Sequence, residues 1–183
     1  MEIFSLSSSM SQRQKRSSKL NMSFKPPFRV GFGYDIHPLV KGEGIILGGV
    51  RIPCHYKTEA HSDGDVVYHA LGEAILGSLS LNDIGTYFPD SLEETKGMDS
   101  SKIFLFALDK ADKMGYKISN IDISVITEEP ELKNYVKRIK DNIADVGGLE
   151  SDQVSFKAGT NEKIDGVGHN EAIICYANVS LYL

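Results

Sequence analysis

Polar and apolar positions alternate loosely from Phe28 to His37, and this period of two predicts a strand leaving the core. Ile45-Ile46-Leu47 and Val50-Arg51-Ile52 flank Gly48-Gly49 and end at Pro53, which predicts a hairpin or a bulged strand pair. From Asp65 to Leu79 the period becomes helical. Val66, Ala70, Ala74 and Leu79, joined by Leu71, Ile75 and Leu76, make a broad apolar face, with Ser62 or Asp63 as the expected cap. Residues 81–99, with Gly85, Pro89 and Gly97, read as a turn-rich connection. A second helix is predicted over Ser100 to Met114, stopped by Gly115, then a strand over Tyr116 to Thr127. A third helix is expected from Glu131 to Val146, ended by Gly147-Gly148, and two last strands over Val154 to Ala158 and Ala172 to Leu183. The final strand puts Tyr176, Asn178, Ser180 and Tyr182 on one face with Ile174, an aromatic and polar face expected to meet a partner subunit. The order of elements predicts an α+β fold, one mixed sheet backed by helices on one face.

Composition bounds this picture without changing it. The 183 residues, 41% hydrophobic and 25% charged, suit one globular domain with a tail. Residues 1–27 are Ser-rich and basic, with Glu2 the lone acid, and read as a flexible tail or the remnant of a transit peptide; the domain is expected over 28–183. A net charge of -5 argues against nucleic acid as a partner but leaves a small phosphorylated substrate open, since a bound ion supplies positive charge locally. No apolar run approaches the roughly 20 residues that cross a membrane. Cys54 and Cys175, far apart and outside any CxxC pair, read as two reduced, packed thiols.

Chemistry concentrates in four segments. In an extended strand, Asp35 and His37 project to one side and present a carboxylate oxygen and an imidazole nitrogen to one point. His69, on the helix that follows His61-Ser62-Asp63-Gly64-Asp65, would complete an Asp/His/His set with a fourth position open, the pattern of catalytic zinc. Ser62, Gly64 and free amides at the helix start suit a phosphate, and Asp65 could orient a ligand histidine from behind. The run from Lys157 to Lys163 offers small and hydroxyl residues to a phosphate and Glu162 to a hard cation such as Mg²⁺. Asn82 to Gly85 and Phe88 to Asp90 form a loop with acidic tips. Walker A, GxSxG and complete dinucleotide fingerprints are absent.

Arg29-Val-Gly-Phe-Gly-Tyr-Asp35-Ile-His37, Leu47-Gly-Gly-Val-Arg-Ile-Pro53, Ala60-His-Ser-Asp-Gly-Asp-Val and Asp83-Ile-Gly-x-x-Phe-Pro-Asp90 together resemble the 2-C-methyl-D-erythritol 2,4-cyclodiphosphate synthase family of the non-mevalonate route to isoprenoids, from about residue 28 to the end. The resemblance implies a metal-dependent phosphorus–oxygen lyase that cyclises 4-diphosphocytidyl-2-C-methyl-D-erythritol 2-phosphate and releases CMP. It implies a homotrimer with active sites between subunits, and a plastid-type organelle where the tail is a presequence, otherwise the cytoplasm. By position, Asp35, His37 and His69 would hold zinc, and Glu162 would hold Mg²⁺ or Mn²⁺. His61, Ser62 and Thr160 would contact phosphate or erythritol, and Asp83, Gly85, Phe88 and Asp90 would wall the methylerythritol group.

The sequence departs from the family at the periphery. The cytidine segment, usually Ala-x-x-Pro-Lys, is Thr127-Glu-Glu-Pro130-Glu131, and the threonine-rich run before the glutamate shrinks to Gly159-Thr160-Asn161. The Phe and Arg of the family's central cavity become Gly166 and His169. Glu131 and the altered run at 159–161 motivate the alternative of a catalytically impaired trimeric module that binds metal and cytidine nucleotide.

Overall fold

A computed structural model describes residues 25–183. The tail assigned to 1–27 and its transit-peptide reading lie outside the described residues up to position 24.

The first strand, β1 (Phe28–Lys41), runs four residues past its expected end. Leu39, Val40 and Lys41 find an antiparallel partner in an unforeseen short strand, β4 (Tyr56–Thr58). Between them β2 (Ile45–Leu47) and β3 (Val50–Ile52) form the expected hairpin as a separate two-stranded sheet. Its turn residues Gly48 and Gly49 have φ of +54° and +74°, the left-handed pair a tight hairpin needs. Helix α1 (Val66–Ser78) follows, capped by Asp65 and not by Ser62 or Asp63. The connection after it contains a one-turn helix α2 (Ile84–Tyr87) and a 3-10 turn over Glu93–Thr95. Then come α3 (Ser101–Lys113), β5 (Lys117–Ile126), α4 (Val136–Gly147), β6 (Val154–Gly159), α5 (Asp165–Gly168) and β7 (Ala172–Tyr182). Helix α4 starts five residues later than its apolar stripe suggests. Tyr135 and Val136 both donate to Leu132 O, which closes a separate bend first.

The main sheet has the order β4-β1-β7-β5-β6, antiparallel except for the parallel β5–β6 pair, so it is mixed as expected. One row across it reads Ile36, Ile174, Ile126 and Gly159. The ends of β1 and β6 therefore lie at the same end of the sheet, three strand spacings apart, or about 14 Å.

Helix α1 lies directly on β1, and the two strand glycines make this possible. A Cβ on Gly31 would sit 1.8 Å from Ala74 O, and one on Gly33 would sit 1.9 Å from Ala70 O. Two strand residues advance about 6.6 Å and four helix residues about 6 Å, so the contacts march in step. The next step along brings Asp35 opposite the first turn of α1, where His69 stands. Around this seam Tyr68, Leu71, Ile75, Phe104, Ile123, Ile139 and Val179 are buried, with Tyr68 and Phe104 stacked at 5.5 Å. Among the described residues the other sheet face is bare: Phe28, Val30, Phe32, Tyr34 and Ile36 alternate outward along β1 at 43–71% exposure.

Candidate metal and phosphate site

Asp35 and His37 fall on the helix-facing side of β1, on the same face as Gly31 and Gly33. His69 meets them from α1. Asp35 Oδ2 is 3.6 Å from His37 Nε2 and 3.3 Å from His69 Nδ1. One ligand atom from each residue lies within 4.8 Å of the other two. Ligands held tetrahedrally around one zinc ion at about 2.0–2.1 Å stand roughly 3.3 Å from each other, so this spacing fits a shared ion. Asp35 Oδ2 and His37 Nε2 are buried and make no hydrogen bond, the 3.6 Å between them being too long for one. Buried polar atoms are rarely left so, and two aimed at one point are explained by a common cation.

The histidine rings are held from behind. His37 Nδ1 lies 2.8 Å from Ile36 O and donates to it, which leaves Nε2 facing the site with its lone pair. Burial pulls His69 toward its neutral form, but the Asp35 carboxylate, with Asp65 and Asp63 beyond it, reverses the sign and raises its pKa above the ordinary value. Cys175 pairs with Asp35 across β1 and β7 yet is no ligand. Its thiol is pushed well up by burial and then by Asp65 and Asp35, so it stays protonated and packed.

The set opens into a cleft of about 320 Å³ also lined by Ala60, His61, Ser62, Ile84, Gly85, Phe88 and Asp90. Of the residues expected to surround a substrate here, His61, Ser62, Gly85, Phe88 and Asp90 are thus brought together with the metal ligands. Asp83 turns away: its carboxylate caps α2, accepting from Thr86 N and Thr86 Oγ1 at 2.8 Å each. That pairing with Thr86 lowers its pKa.

Two sequence expectations need correction. The start of α1 offers a phosphate few free amides. Asp65 accepts from Val67 N and Tyr68 N, and the amides of Asp63, Gly64 and Asp65 donate to Met98 O, Ser62 Oγ and Asp63 Oδ1. Nor does Asp65 orient His69. It is fully buried and also binds Gly48 N and Gly49 N at 2.9 and 2.7 Å, tying the β2–β3 hairpin to the helix. The group behind His69 is one the sequence reading missed, Ser100, which was visible only as the start of a helix.

The second predicted cluster stands apart. Thr160 lines a different cleft, of about 550 Å³, with Thr127, Glu128, Pro130, Glu131, Leu132 and Lys133. Glu162 is not among the ligand atoms that converge on Asp35, and its Oε1 accepts from Thr160 Oγ1 at 3.0 Å. The amides expected to cradle a phosphate are taken here too. Asn161 N and Lys163 N donate to Glu128 Oε1 at 3.0 and 3.1 Å. Glu162, Lys163 and Asp165 have φ of +51°, +60° and +57°, a strained run for residues with side chains.

Fold and site define a class, an α+β protein with a candidate Asp/His/His metal-binding set where its sheet meets its first helix. Residues 28–182 match the YgbB family, and the chain belongs to that family. It is 44% identical over 150 residues to the 2-C-methyl-D-erythritol 2,4-cyclodiphosphate synthase of Synechococcus elongatus, covering 82% of this chain and 94% of that one. It is also 44% identical over 163 residues to a bifunctional enzyme IspD/IspF of Wolbachia sp. subsp. Brugia malayi, covering 86% of this chain. This chain spans only 40% of that longer relative. Among solved structures, an IspF–CDP complex of Plasmodium falciparum superimposes with a TM-score of 0.76 at 36% identity, covering 87% of this chain and 98% of the other.

Proposed function

We propose that this chain converts 4-diphosphocytidyl-2-C-methyl-D-erythritol 2-phosphate to 2-C-methyl-D-erythritol 2,4-cyclodiphosphate and CMP. The observation that carries the reading is the convergence of Asp35 Oδ2, His37 Nε2 and His69 Nδ1, two of them buried without partners. The curated relatives bearing the synthase name supply the reaction. A 2-phosphate oxygen attacks the β-phosphorus, the bond from that phosphorus to the oxygen bridging it to the α-phosphate breaks, and CMP leaves with that oxygen. Zinc held by Asp35, His37 and His69, with Mg²⁺ or Mn²⁺ at Glu162, would offset the charge gathered on the phosphates. The chain's own residues position and exclude. Ser62 and His61 line the floor where the 2-phosphate would sit, and Ile84, Gly85 and Phe88 wall off water from the methylerythritol portion. The cleft over Thr127 to Lys133 would take the cytidine, a placement its size of about 550 Å³ allows; that similar structures bind CDP supports a cytidine nucleotide as the ligand.

In a single copy the strands that carry these two halves, β1 and β6, stand three strand spacings, about 14 Å, apart. This separation supports active sites completed by a neighbouring subunit, as a homotrimer provides. The bare face of β1 supports it as well. Phe28, Val30, Phe32, Tyr34 and Ile36 would each gain roughly 1 kcal/mol or more when covered. The test is ³¹P NMR of the purified protein with the cytidyl substrate, Zn²⁺ and Mg²⁺. Two coupled diphosphate signals with a CMP singlet are expected; unchanged substrate at full metal occupancy would overturn the reading in favour of a binding module.

A further inference from the structure

Ser100 sits at the N-cap of α3, where a serine ordinarily accepts a hydrogen bond from the helix's own first amides. Here it makes no such bond. Its side chain is fully buried and points the other way, into the seam between α3 and α1. Ser100 Oγ lies 2.5 Å from Asp63 Oδ1 and 3.0 Å from His69 Nε2. The backbone reinforces the pairing, because Ser100 N donates to Asp63 Oδ2 at 3.1 Å. Ser100 already has helical φ and ψ of -70° and -12°, and Asp99 Oδ1 takes the Ser101 amide at 2.9 Å, so the Ser100 hydroxyl is free to bridge a carboxylate and a histidine.

The hydrogen count fixes the direction of this bridge. A carboxylate only accepts, and the short contact to Asp63 is that of a charge-assisted O–H···O⁻ bond, so the single hydroxyl proton of Ser100 goes to Asp63. Ser100 Oγ then has only lone pairs to offer His69, and the proton of the bond between them must reside on His69 Nε2. Ser62 Oγ, 3.1 Å from the same nitrogen, can accept alongside it. A neutral imidazole with its proton on Nε2 carries its lone pair on Nδ1, the atom that stands 3.3 Å from Asp35 Oδ2.

We propose that Asp63 and Ser100 form a positioning relay that holds His69 in the Nε2–H tautomer, so that Nδ1 is presented as a metal ligand. The inference rests on the metal-site reading above. It adds two residues that act through His69 and touch neither ion nor substrate. His37 needs no such relay, because the Ile36 carbonyl does the same for it through Nδ1.

The experiment compares wild type, Ser100→Ala, Ser100→Thr, Asp63→Asn and the Ser100→Ala/Asp63→Asn double variant as full chains stripped and reloaded with zinc. Zinc affinity is read by competition with a chromophoric chelator, ring tautomers by long-range ¹H–¹⁵N correlation, and folding by urea midpoint. Ser100→Ala should weaken zinc binding roughly 10- to 100-fold, the usual cost of losing a group behind a metal ligand. It should also remove the Nε2–H signature of His69 and leave the Nδ1–H signature of His37 in place. Ser100→Thr, which keeps the hydroxyl, should bind within a few-fold of wild type. The double variant should bind no worse than Ser100→Ala, because the carboxylate reaches His69 through the hydroxyl and its other bonds, from the Ser100 and Asp65 amides, do not involve the ring. Wild-type affinity in Ser100→Ala overturns the relay alone. Additive losses in the double variant, or losses that simply track the urea midpoint, also overturn it and assign both residues to packing. Failure of wild type to bind one zinc per chain overturns the metal site, and the relay with it.

Discussion

The Asp35/His37/His69 set and the turn around Glu162, the inner half and the outer arm of the proposed site, are built on opposite principles. At Asp35, His37 and His69 every ligand stands on a regular element, strand or helix, and the elements are locked by glycine contacts too close for a Cβ. At Thr160 and Glu162 the groups stand on a turn of left-handed residues, exposed and held mainly by Glu128. Precise coordination needs the first kind of support, because a tetrahedral site tolerates errors of only a few tenths of an ångström.

Substitution at each half separates the two most sharply. His37→Ala should remove zinc and cut CMP release by roughly 100- to 1000-fold or more, the scale of losing a principal charge-stabilising group. Glu162→Gln should lower turnover while zinc content, read by atomic absorption, stays at the wild-type value. If the halves belong to different subunits, mixing the two inactive variants under conditions that exchange subunits should restore activity, since some hybrid interfaces pair an intact inner half with an intact arm. No recovery after exchange, verified by mass spectrometry of mixed oligomers, would place both halves of each site in one chain.

Alanine at a glycine sharpens the same contrast through stability. Gly33→Ala drives a Cβ against the Ala70 carbonyl and must push α1 off the sheet, costing about 3 kcal/mol or more and weakening zinc binding as His69 moves. Gly166→Ala, in the arm, meets the far end of the Glu171 side chain at 3.1 Å. Its effect should fall within about 1 kcal/mol of zero. Equal losses in urea titrations of the two variants would mean that the arm is as tightly packed as the core.

The same division explains what the sequence could disclose. Asp35 and His37 were legible because a period of two puts alternate residues on one side, and the outer aromatic face of β7 followed from the same rule. The β1 contribution to that bare face went unremarked although it obeys it too. The helix bodies and the Gly48-Gly49 turn were legible from local periodicity. What was hidden depends on pairings distant in sequence. The strand over Tyr56–Thr58 exists because β1 offers it an edge, and Ser100 reaches His69 across 31 positions. Asp65 shows the limit from the other side. Its acidity and place before a helix suggested a ligand's helper, yet a carboxylate with four amides in reach is a structural clamp.

That clamp gives the two regions opposite responses to acid. Desolvation raises the Asp65 pKa from 3.8 to about 6, against the lowering pull of the Gly49, Gly48 and Tyr68 amides. A carboxyl that holds its proton more tightly folded than unfolded stabilises the fold most at low pH, and that contribution fades as pH rises through about 6. Over the full window it amounts to about 3 kcal/mol. In the arm, the Asn161 side chain, with the Val167 amide, pulls the pKa of Asp165 down. Its contribution has the reverse sign, present above the unfolded value and lost as pH falls. Asp65→Asn isolates the first effect, since an amide mimics the protonated acid and forfeits one acceptor at every pH. In urea unfolding of metal-stripped protein at fixed concentration, the variant should gain on wild type by about 2 kcal/mol between pH 4 and pH 7.5. A flat difference across that range would mean that the amides around Asp65 offset its burial in full, and the inner half would then carry no more electrostatic strain than the exposed arm.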